Sequence, residues 1–151
     1  IGLPGEYLQR PGFWQGGIGI AACWYGAARS LAERLRTHCA QHEEPHALAH
    51  LGAVDCALHA AMQVLRASAE SIDGSPQDNA QLLARRARAV VEQAAEQVIL
   101  HVGHALGAGP YCRDRHVARL MADLPVFLRQ SHAARDLAAL GKQVINGTWT
   151  L

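Results

Sequence analysis

Apolar residues recur along most of the chain at alternating spacings of three and four positions, which is the period of one face of a helix. The clearest run starts after Pro45 and stops at Asp73-Gly74, a combination typical of a helix start and a helix end. We expect its apolar seam to consist of Leu48, Leu51, Asp55, Leu58, Met62, Leu65, Ala69 and Ile72. The seam is long enough to pack in a helical bundle, and Arg86 or Arg88 of the next helix would neutralise its one carboxylate.

Similar patterns predict helices on both sides of this run. The first helix extends from about Phe13 to His38, and a polar loop covers residues 38–44. The third helix is expected to be capped by Ser75 and to end at the Gly107-Ala108-Gly109-Pro110 sequence. Residues 1–11, which precede the first helix, are expected to be an extended segment.

The last third of the chain predicts a fourth helix and a short fifth one. Asp114 is the expected cap of the fourth helix, which Pro125 should kink or break. Ser131 is the expected cap of the last helix, which ends at Leu140-Gly141, and residues 142–151 form a tail.

These elements predict an all-α fold. The long helices have about 28 residues and therefore a length of roughly 40 Å. Helices of matched length with short connections pack as antiparallel neighbours. We therefore expect residues 1–151 to form a single domain, an antiparallel up-down four-helix bundle with an extra short C-terminal helix.

Composition and charge narrow the choice of function. The net charge is +1 and no basic stripe is present, so a nucleic-acid partner is not expected. The four cysteines form no C-x-x-C pair, which favours buried or half-buried thiols in a reducing cytoplasm. The uncharged stretch from Pro11 to Ala28 is rich in glycine and is shorter than the roughly 20 apolar residues of a membrane span, so we do not expect it to cross a membrane. Because residue 1 is Ile, not Met, we expect the chain to be part of a longer protein.

Three stretches together resemble the C-terminal helical-bundle domain of the acyl-CoA dehydrogenase superfamily, closest to its type 2 branch. The first is Arg10-Pro11-Gly12-Phe13-Trp14 with the glycine-rich helix that follows. The second is the helix end, glycine-rich turn, tyrosine and charged stretch from His104 to Asp123. The third extends from Leu128 to Leu137, so the resemblance covers residues 7–141.

The resemblance implies a longer FAD-dependent oxidoreductase that desaturates an acyl thioester, as in fatty acid metabolism. Its members have an N-terminal helical domain, a middle β domain and this bundle. Flavin lies between the last two domains, and its adenine end contacts the glycine-rich turn of a neighbouring subunit. The implied partners are an acyl-CoA or related substrate, the missing domains, and further copies in a homodimer or homotetramer. The isolated domain would be catalytically inert.

Four residues correspond to cofactor-binding positions of the family. Gly107 and Gly109 fall on the glycine-rich turn, where bare backbone approaches a phosphate or adenine closely. His104 replaces a glutamine that usually precedes the turn. Arg36 matches the flavin-phosphate arginine of an Arg-x-Thr-Phe-Gly stretch, although the Phe-Gly is absent here. The alternative role of Gly107 is that of a plain helix C-cap.

The expected catalytic base is missing from the stretch that carries it in many dehydrogenases. The chain reads Gln130-Ser131-His132 there, without a glutamate. Flavin-dependent monooxygenases of the same fold also lack that glutamate and use histidine and serine, which makes His132 and Ser131 the candidate catalytic residues. The alternatives are a helix cap for Ser131, a half-exposed ring for His132, and an inert scaffold for the whole domain.

Two further groups admit both a structural and a functional interpretation. Four histidines recur every fourth residue, at His38, His42, His46 and His50. A metal site needs ligands on a facing helix. No facing helix shows a matching Glu-x-x-His, and Glu92 and Glu96 lack such a partner, so no metal is predicted, although His101 and His104 could meet the histidine pair. The run Arg85, Arg86 and Arg88 is either a solvated helix face or a site for a CoA or flavin phosphate.

Overall fold

A computed structural model describes residues 2–145, without the side chain of Pro11. Within this range the chain is helical and contains no strand, so the all-α prediction is confirmed. The helices are α1 (Glu6–Gln9), α2 (Pro11–Gln41), α3 (Pro45–Gly74), α4 (Gln81–Leu106), α5 (Gly109–Arg113), α6 (Arg115–Leu128) and α7 (Ala133–Val144).

Side-chain contacts give the directions of the long helices. His50 at the start of α3 meets His101 near the end of α4, so these two helices are antiparallel. Arg88 near the start of α4 donates to the Gly17 carbonyl near the start of α2, so α2 and α4 are parallel. The start of α6 bonds Ser30 of α2, and its end packs on the earlier Trp24. Therefore α6 runs opposite to α2.

The core lies among α2, α3, α4 and α6. Its largest fully buried side chains are apolar residues of α2, α4 and α6 together with one of α3, namely Trp24, Leu31, Leu35, Val54, Val91, Val98, Val102, Val117, Leu124 and Leu128. Many of the other buried positions are alanines. Small side chains let helix axes approach closely, which explains how a chain with few aromatic residues builds a dry interior.

None of the eight residues predicted for the seam of α3 is among its fully buried positions. The fully buried positions are Ala47, Val54, Ala61 and Ser68, spaced by seven residues. The predicted leucines at 51, 58 and 65 and Ile72 lie beside them and are half-buried. Asp55 is exposed and is not neutralised by Arg86 or Arg88. The prediction followed side-chain size, whereas close packing against α4 places small residues at the centre of the contact.

Several helix ends lie away from their predicted positions. The leading segment contains α1, and α2 extends to Gln41. The predicted start at Ser75 is wrong because the Ser75 amide donates to the Ser71 carbonyl and so closes α3. The start of α4 is instead stabilised by Asn79, whose side-chain oxygen accepts from the Gln81 amide at 3.0 Å.

Near the C-terminus, Pro125 lies inside an uninterrupted α6. The predicted break falls later, at residues 129–132. Proline removes one hydrogen bond to the preceding turn, and α6 ends only three residues after it, so few bonds depend on that site. The last helix extends to Val144, beyond the predicted end at Gly141. The rest of the predicted tail, residues 146–151, lies outside the described residues.

The four cysteines differ in their exposure to solvent. Only Cys39 is buried, while Cys23, Cys56 and Cys112 are exposed, contrary to the expectation of buried thiols. Burial raises the pKa of the Cys39 thiol.

In residues 2–145, one helix, α3, has the length and composition of a membrane-crossing segment, with a mean hydropathy of 1.3 over its most apolar window. The same test is passed by core helices of soluble proteins.

The cap of α6 predicts a pH-dependent stability. As expected from the sequence, the Asp114 carboxylate accepts hydrogen bonds from the His116 and Val117 amides at 2.9 and 3.2 Å. The Val117 bond is the main reason that the pKa of Asp114 is lowered. The stabilisation is complete above the ordinary pKa of about 3.9 and is lost as pH falls through the lower folded value.

We therefore expect Asp114→Ala to lower the melting temperature at pH 7 and to remove part of the acid dependence below about pH 4. Asp114→Asn is the matched control, because its amide oxygen keeps a cap without an ionisable group. Thermal unfolding between pH 2 and 7 measures both. Identical acid dependence in the parent and both variants would contradict the assignment.

Candidate functional site

The two glycines of the predicted cofactor turn have different structural roles. Gly107 ends α4 with φ +61° and ψ −161°, and its amide donates to the Gly103 carbonyl at 3.0 Å. Residues that have a side chain rarely adopt a positive φ, so the fold requires glycine at position 107. Gly109 begins α5 without a positive φ, and a Cβ added to it would meet no atom within 4 Å. Nothing in the described fold demands glycine at 109.

Gly109 opens onto a cavity between the turn and the end of α2. The cavity volume is about 460 Å³, and its polar lining comes mostly from α2 and α5, namely Arg34, Thr37, His38, Gln41, Arg113 and Asp114. Arg34 lies 3.8 Å from the Asp114 carboxylate. The Asp114 carboxylate offsets one of the two guanidinium charges, and the remaining positive charge beside an open stretch of backbone suits an anionic group.

Arg36 lies outside this cavity. Its guanidinium bonds the Glu33 carboxylate on the preceding turn of α2, and this contact lowers the pKa of Glu33 and raises that of Arg36. Arg36 instead lines a groove between α2 and α3 together with Asp55. The arginine that accompanies the glycine-rich turn is therefore Arg34, two residues earlier on α2. Sequence reasoning chose Arg36 because it matches the family motif.

His104 is exposed and lies toward α3. Its ring centroid is 5.8 Å from that of His50, in an edge-on arrangement. His50 also contacts His101, with 2.9 Å between their Nδ1 atoms. The sequence grouped His50 with His46 of the same helix and named His101 and His104 as side chains that could meet this pair, and the fold does place both of them against His50.

Ser131 and His132 lie in the connection between α6 and α7. The Ser131 hydroxyl accepts a hydrogen bond from the Ala133 amide at 3.2 Å, but the N-cap residue of α7 is His132, so Ser131 lies one residue before the predicted cap position. His132 is exposed, and its backbone amide donates to the Asp136 carboxylate at 3.4 Å. Ala133 has φ +33°, a strained value for a residue with a side chain. This connection is tight and is held by polar contacts on both sides.

The two predicted groups of site residues are far apart within one chain. Arg88 of α4 donates to the Gln130 carbonyl, next to Ser131, at 3.3 Å. From Arg88 to the glycine-rich turn at Gly107, α4 rises by roughly 28 Å. One chain therefore does not bring Ser131 and His132 together with Gly107 and Gly109.

A charged groove beside the α6–α7 connection was not predicted as a unit. Its volume is about 360 Å³, and its charged lining is Arg85, Arg88, Glu92, Glu96, Arg129 and Asp136. Burial lowers the pKa of Arg88, whose guanidinium lies 4.6 Å from the centre of the Trp24 ring. The arginine run is thus not a simple solvated face. A signal was present in the sequence, because arginine and glutamate recur on one face of α4.

Among the residues that the structure describes, no group of three or more His, Cys, Asp or Glu side chains is arranged to hold a metal ion. Comparison with protein-family models, with curated proteins and with solved structures finds no match. The case for a function therefore depends on the geometry above and on the resemblance of the three sequence stretches.

Proposed function

We propose that the chain is the C-terminal domain of a FAD-dependent oxidoreductase that resembles the acyl-CoA dehydrogenases and desaturates an acyl thioester at its α and β carbons. The observation that carries the proposal is Gly109. It is a glycine that the fold does not require, and it faces an open cavity with two arginines. It lies on the turn that the resemblance assigns to the cofactor.

The residues around Gly109 fit the phosphate and adenine end of such a cofactor. Arg34 and Arg113 supply positive charge, and Thr37 and Gln41 supply polar groups. Bound flavin would accept the hydride of the oxidation. The chain's own contribution would be to hold the cofactor's far end and to close one wall of its pocket. We propose that the missing domains supply the rest.

The arrangement of the helices supports this role. We propose that α2, α3 and α4 with a divided fourth element, α6 followed by α7, form an antiparallel up-down four-helix bundle. The Gln143 side chain of α7 reaches Gln81 at the start of α4, which is the direction that a continued fourth helix would take. The distance between the two groups of site residues suits a cofactor shared between subunits, so we also propose a cytoplasmic homodimer or homotetramer.

A monooxygenase of the same fold is the second candidate. It is favoured by the α6–α7 connection, where an exposed His132 follows Ser131 and no glutamate is present. In that case His132 would be the group that transfers a proton to or from the substrate. An inert scaffold that only assembles the enzyme is the third candidate, and the absence of bound flavin from the full-length protein would favour it.

The pair Gly107 and Gly109 provides a test of cofactor binding. We expect Gly109→Val in the full-length protein to keep the melting temperature but to lower the flavin content of the purified protein, because its side chain would fill the approach to the turn. Gly107→Ala is the matched control and should destabilise the fold by about 1–3 kcal/mol through backbone strain.

Flavin content is measured from the visible absorbance of the purified proteins, and stability from thermal unfolding. Full flavin occupancy in Gly109→Val would show that the cofactor does not approach this turn. Loss of stability in Gly109→Val without loss of flavin would instead give residue 109 a structural role.

A further inference from the structure

We propose that His50 and His101 form a bidentate site for a divalent transition-metal ion that prefers square or octahedral coordination, of which Ni²⁺ is the probe. This inference is independent of the flavin proposal, since it concerns the contact between α3 and α4 and not the cavity between α2 and α5. It starts from the distance of 2.9 Å between the two Nδ1 atoms, which belong to different helices.

The geometry of the pair is that of a hydrogen bond in which one ring donates and the other accepts. In this contact each ring directs a nitrogen atom at the other, and neutral imidazole nitrogen is a common metal ligand. When the donor ring carries its proton on Nε2 instead, both Nδ1 atoms have lone pairs, and a rotation of both rings turns these lone pairs away from each other and toward a single cation. Both rings are half-buried, so the helices hold them close together while one side stays open to water.

The separation of the nitrogens selects among metals. Two nitrogens 2.9 Å apart, each about 2.0–2.1 Å from one ion, subtend an angle of about 90° at it. That is the angle between neighbouring ligands in square or octahedral coordination, which Cu²⁺ and Ni²⁺ adopt. A tetrahedral Zn²⁺ site needs its nitrogens about 3.3 Å apart. If the rings keep this separation when they turn toward one ion, the pair therefore suits Ni²⁺ and Cu²⁺ better than Zn²⁺.

Two ligands make an open site rather than a closed structural one. Water would fill the remaining positions, in keeping with the absence of any three-residue ligand group in the described part of the chain. The ring of His104 is near His50 but is exposed. We expect moderate affinity and a stabilising cross-link between the start of α3 and the end of α4, because the metal binds the folded arrangement only.

The test uses the untagged chain and follows its melting temperature with and without NiCl₂. We expect Ni²⁺ to raise the melting temperature of the parent by clearly more than that of His50→Gln or His101→Gln, in which the His38 and His42 rings, with centroids 5.1 Å apart, are unchanged. An equal concentration of Zn²⁺ should produce a smaller shift in the parent. Each variant is compared with itself, so its own stability cancels.

His59→Gln is the matched control, since His59 is an exposed histidine of the same helix outside the pair. The His59→Gln variant retains every cysteine and every other histidine, so it shows the Ni²⁺ shift expected when the His50–His101 pair is intact. Equal Ni²⁺ shifts in His59→Gln and His50→Gln, or no shift in the parent, would overturn the site. A larger shift with Zn²⁺ than with Ni²⁺ would overturn the geometry assigned to it.

Discussion

Trp24→Ala is expected to reduce the free energy of unfolding by about 3–5 kcal/mol, the usual loss for truncation of a fully buried tryptophan. Trp24 is 0% exposed and lies at the junction of α2, α4 and α6. Phe127 packs edge-on at a centroid distance of 6.1 Å, and the Arg88 guanidinium covers the ring face. Since domains of this size are stable by about 5–15 kcal/mol, this loss would remove roughly a fifth or more of the free energy of unfolding.

Trp24→Phe separates the volume of this side chain from its polar atom. The Trp24 Nε1 donor is buried and has no hydrogen-bond partner in the described part of the chain. An unsatisfied buried donor costs about 1–3 kcal/mol, so its removal offsets part of the lost volume. We expect Trp24→Phe to be clearly more stable than Trp24→Ala.

Urea unfolding followed by circular dichroism measures both variants, because fluorescence would change with the residue itself. Trp14→Ala is the comparison for the loss of a half-buried tryptophan in the same helix. If Trp24→Ala and Trp14→Ala lost the same free energy, the central position assigned to Trp24 would be wrong.

Arg88→Met is expected to cost about 2–3 kcal/mol and to loosen the connection that carries Ser131 and His132. Arg88 donates to the Gly17 carbonyl of α2 at 3.0 Å and to the Gln130 carbonyl at 3.3 Å. A hydrogen bond from a charged group contributes about 1.5–3 kcal/mol, and the contributions of two bonds from one guanidinium are not additive. Methionine has a similar length but leaves both carbonyls without this donor.

Arg88→Lys should fall between the parent and Arg88→Met, because an ammonium group keeps the charge but not the two-pronged geometry. Arg86→Met is the control for a change of charge at a neighbouring position, and we expect it to change stability by no more than about 0.5 kcal/mol.

Hydrogen exchange supplies the local measurement for Arg88. We expect the amides of residues 131–136 to exchange faster in Arg88→Met and Arg88→Lys than in the parent. Unchanged exchange there, together with a global loss of stability, would mean that Arg88 stabilises the core without positioning the α6–α7 connection.

The sequence was sufficient for the fold class and for those helix ends that have a local chemical cause. Pro45 at a first turn, Gly107 with its positive φ and Asp114 as a cap act within one turn of the chain, and all three predictions are confirmed. The seam predicted for α3 was wrong, since its residues are half-buried or exposed. Burial there depends on how closely α4 approaches. That distance is a tertiary property, and the leucine pattern does not encode it.

The candidate site was harder to predict for the same reason. The sequence gives no reason to treat Gly107 and Gly109 differently. Only the backbone angles show that the fold requires glycine at position 107 and not at position 109. Arg34 and Arg36 differ by two positions on one helix, which places them on different faces. The pairing of His50 with His101 joins residues 51 positions apart. Each of these distinctions depends on packing between helices.

The central claim, a flavin-dependent oxidation of an acyl thioester, is tested most directly on the full-length protein purified as expressed. Its visible spectrum is recorded without oxygen before and after addition of a panel of acyl-CoAs, and dithionite serves as the control for reducible flavin. We predict bound flavin whose absorbance bleaches with at least one acyl-CoA. Flavin that dithionite reduces but no acyl-CoA reduces would contradict the dehydrogenase and favour the monooxygenase, and a colourless protein would contradict both.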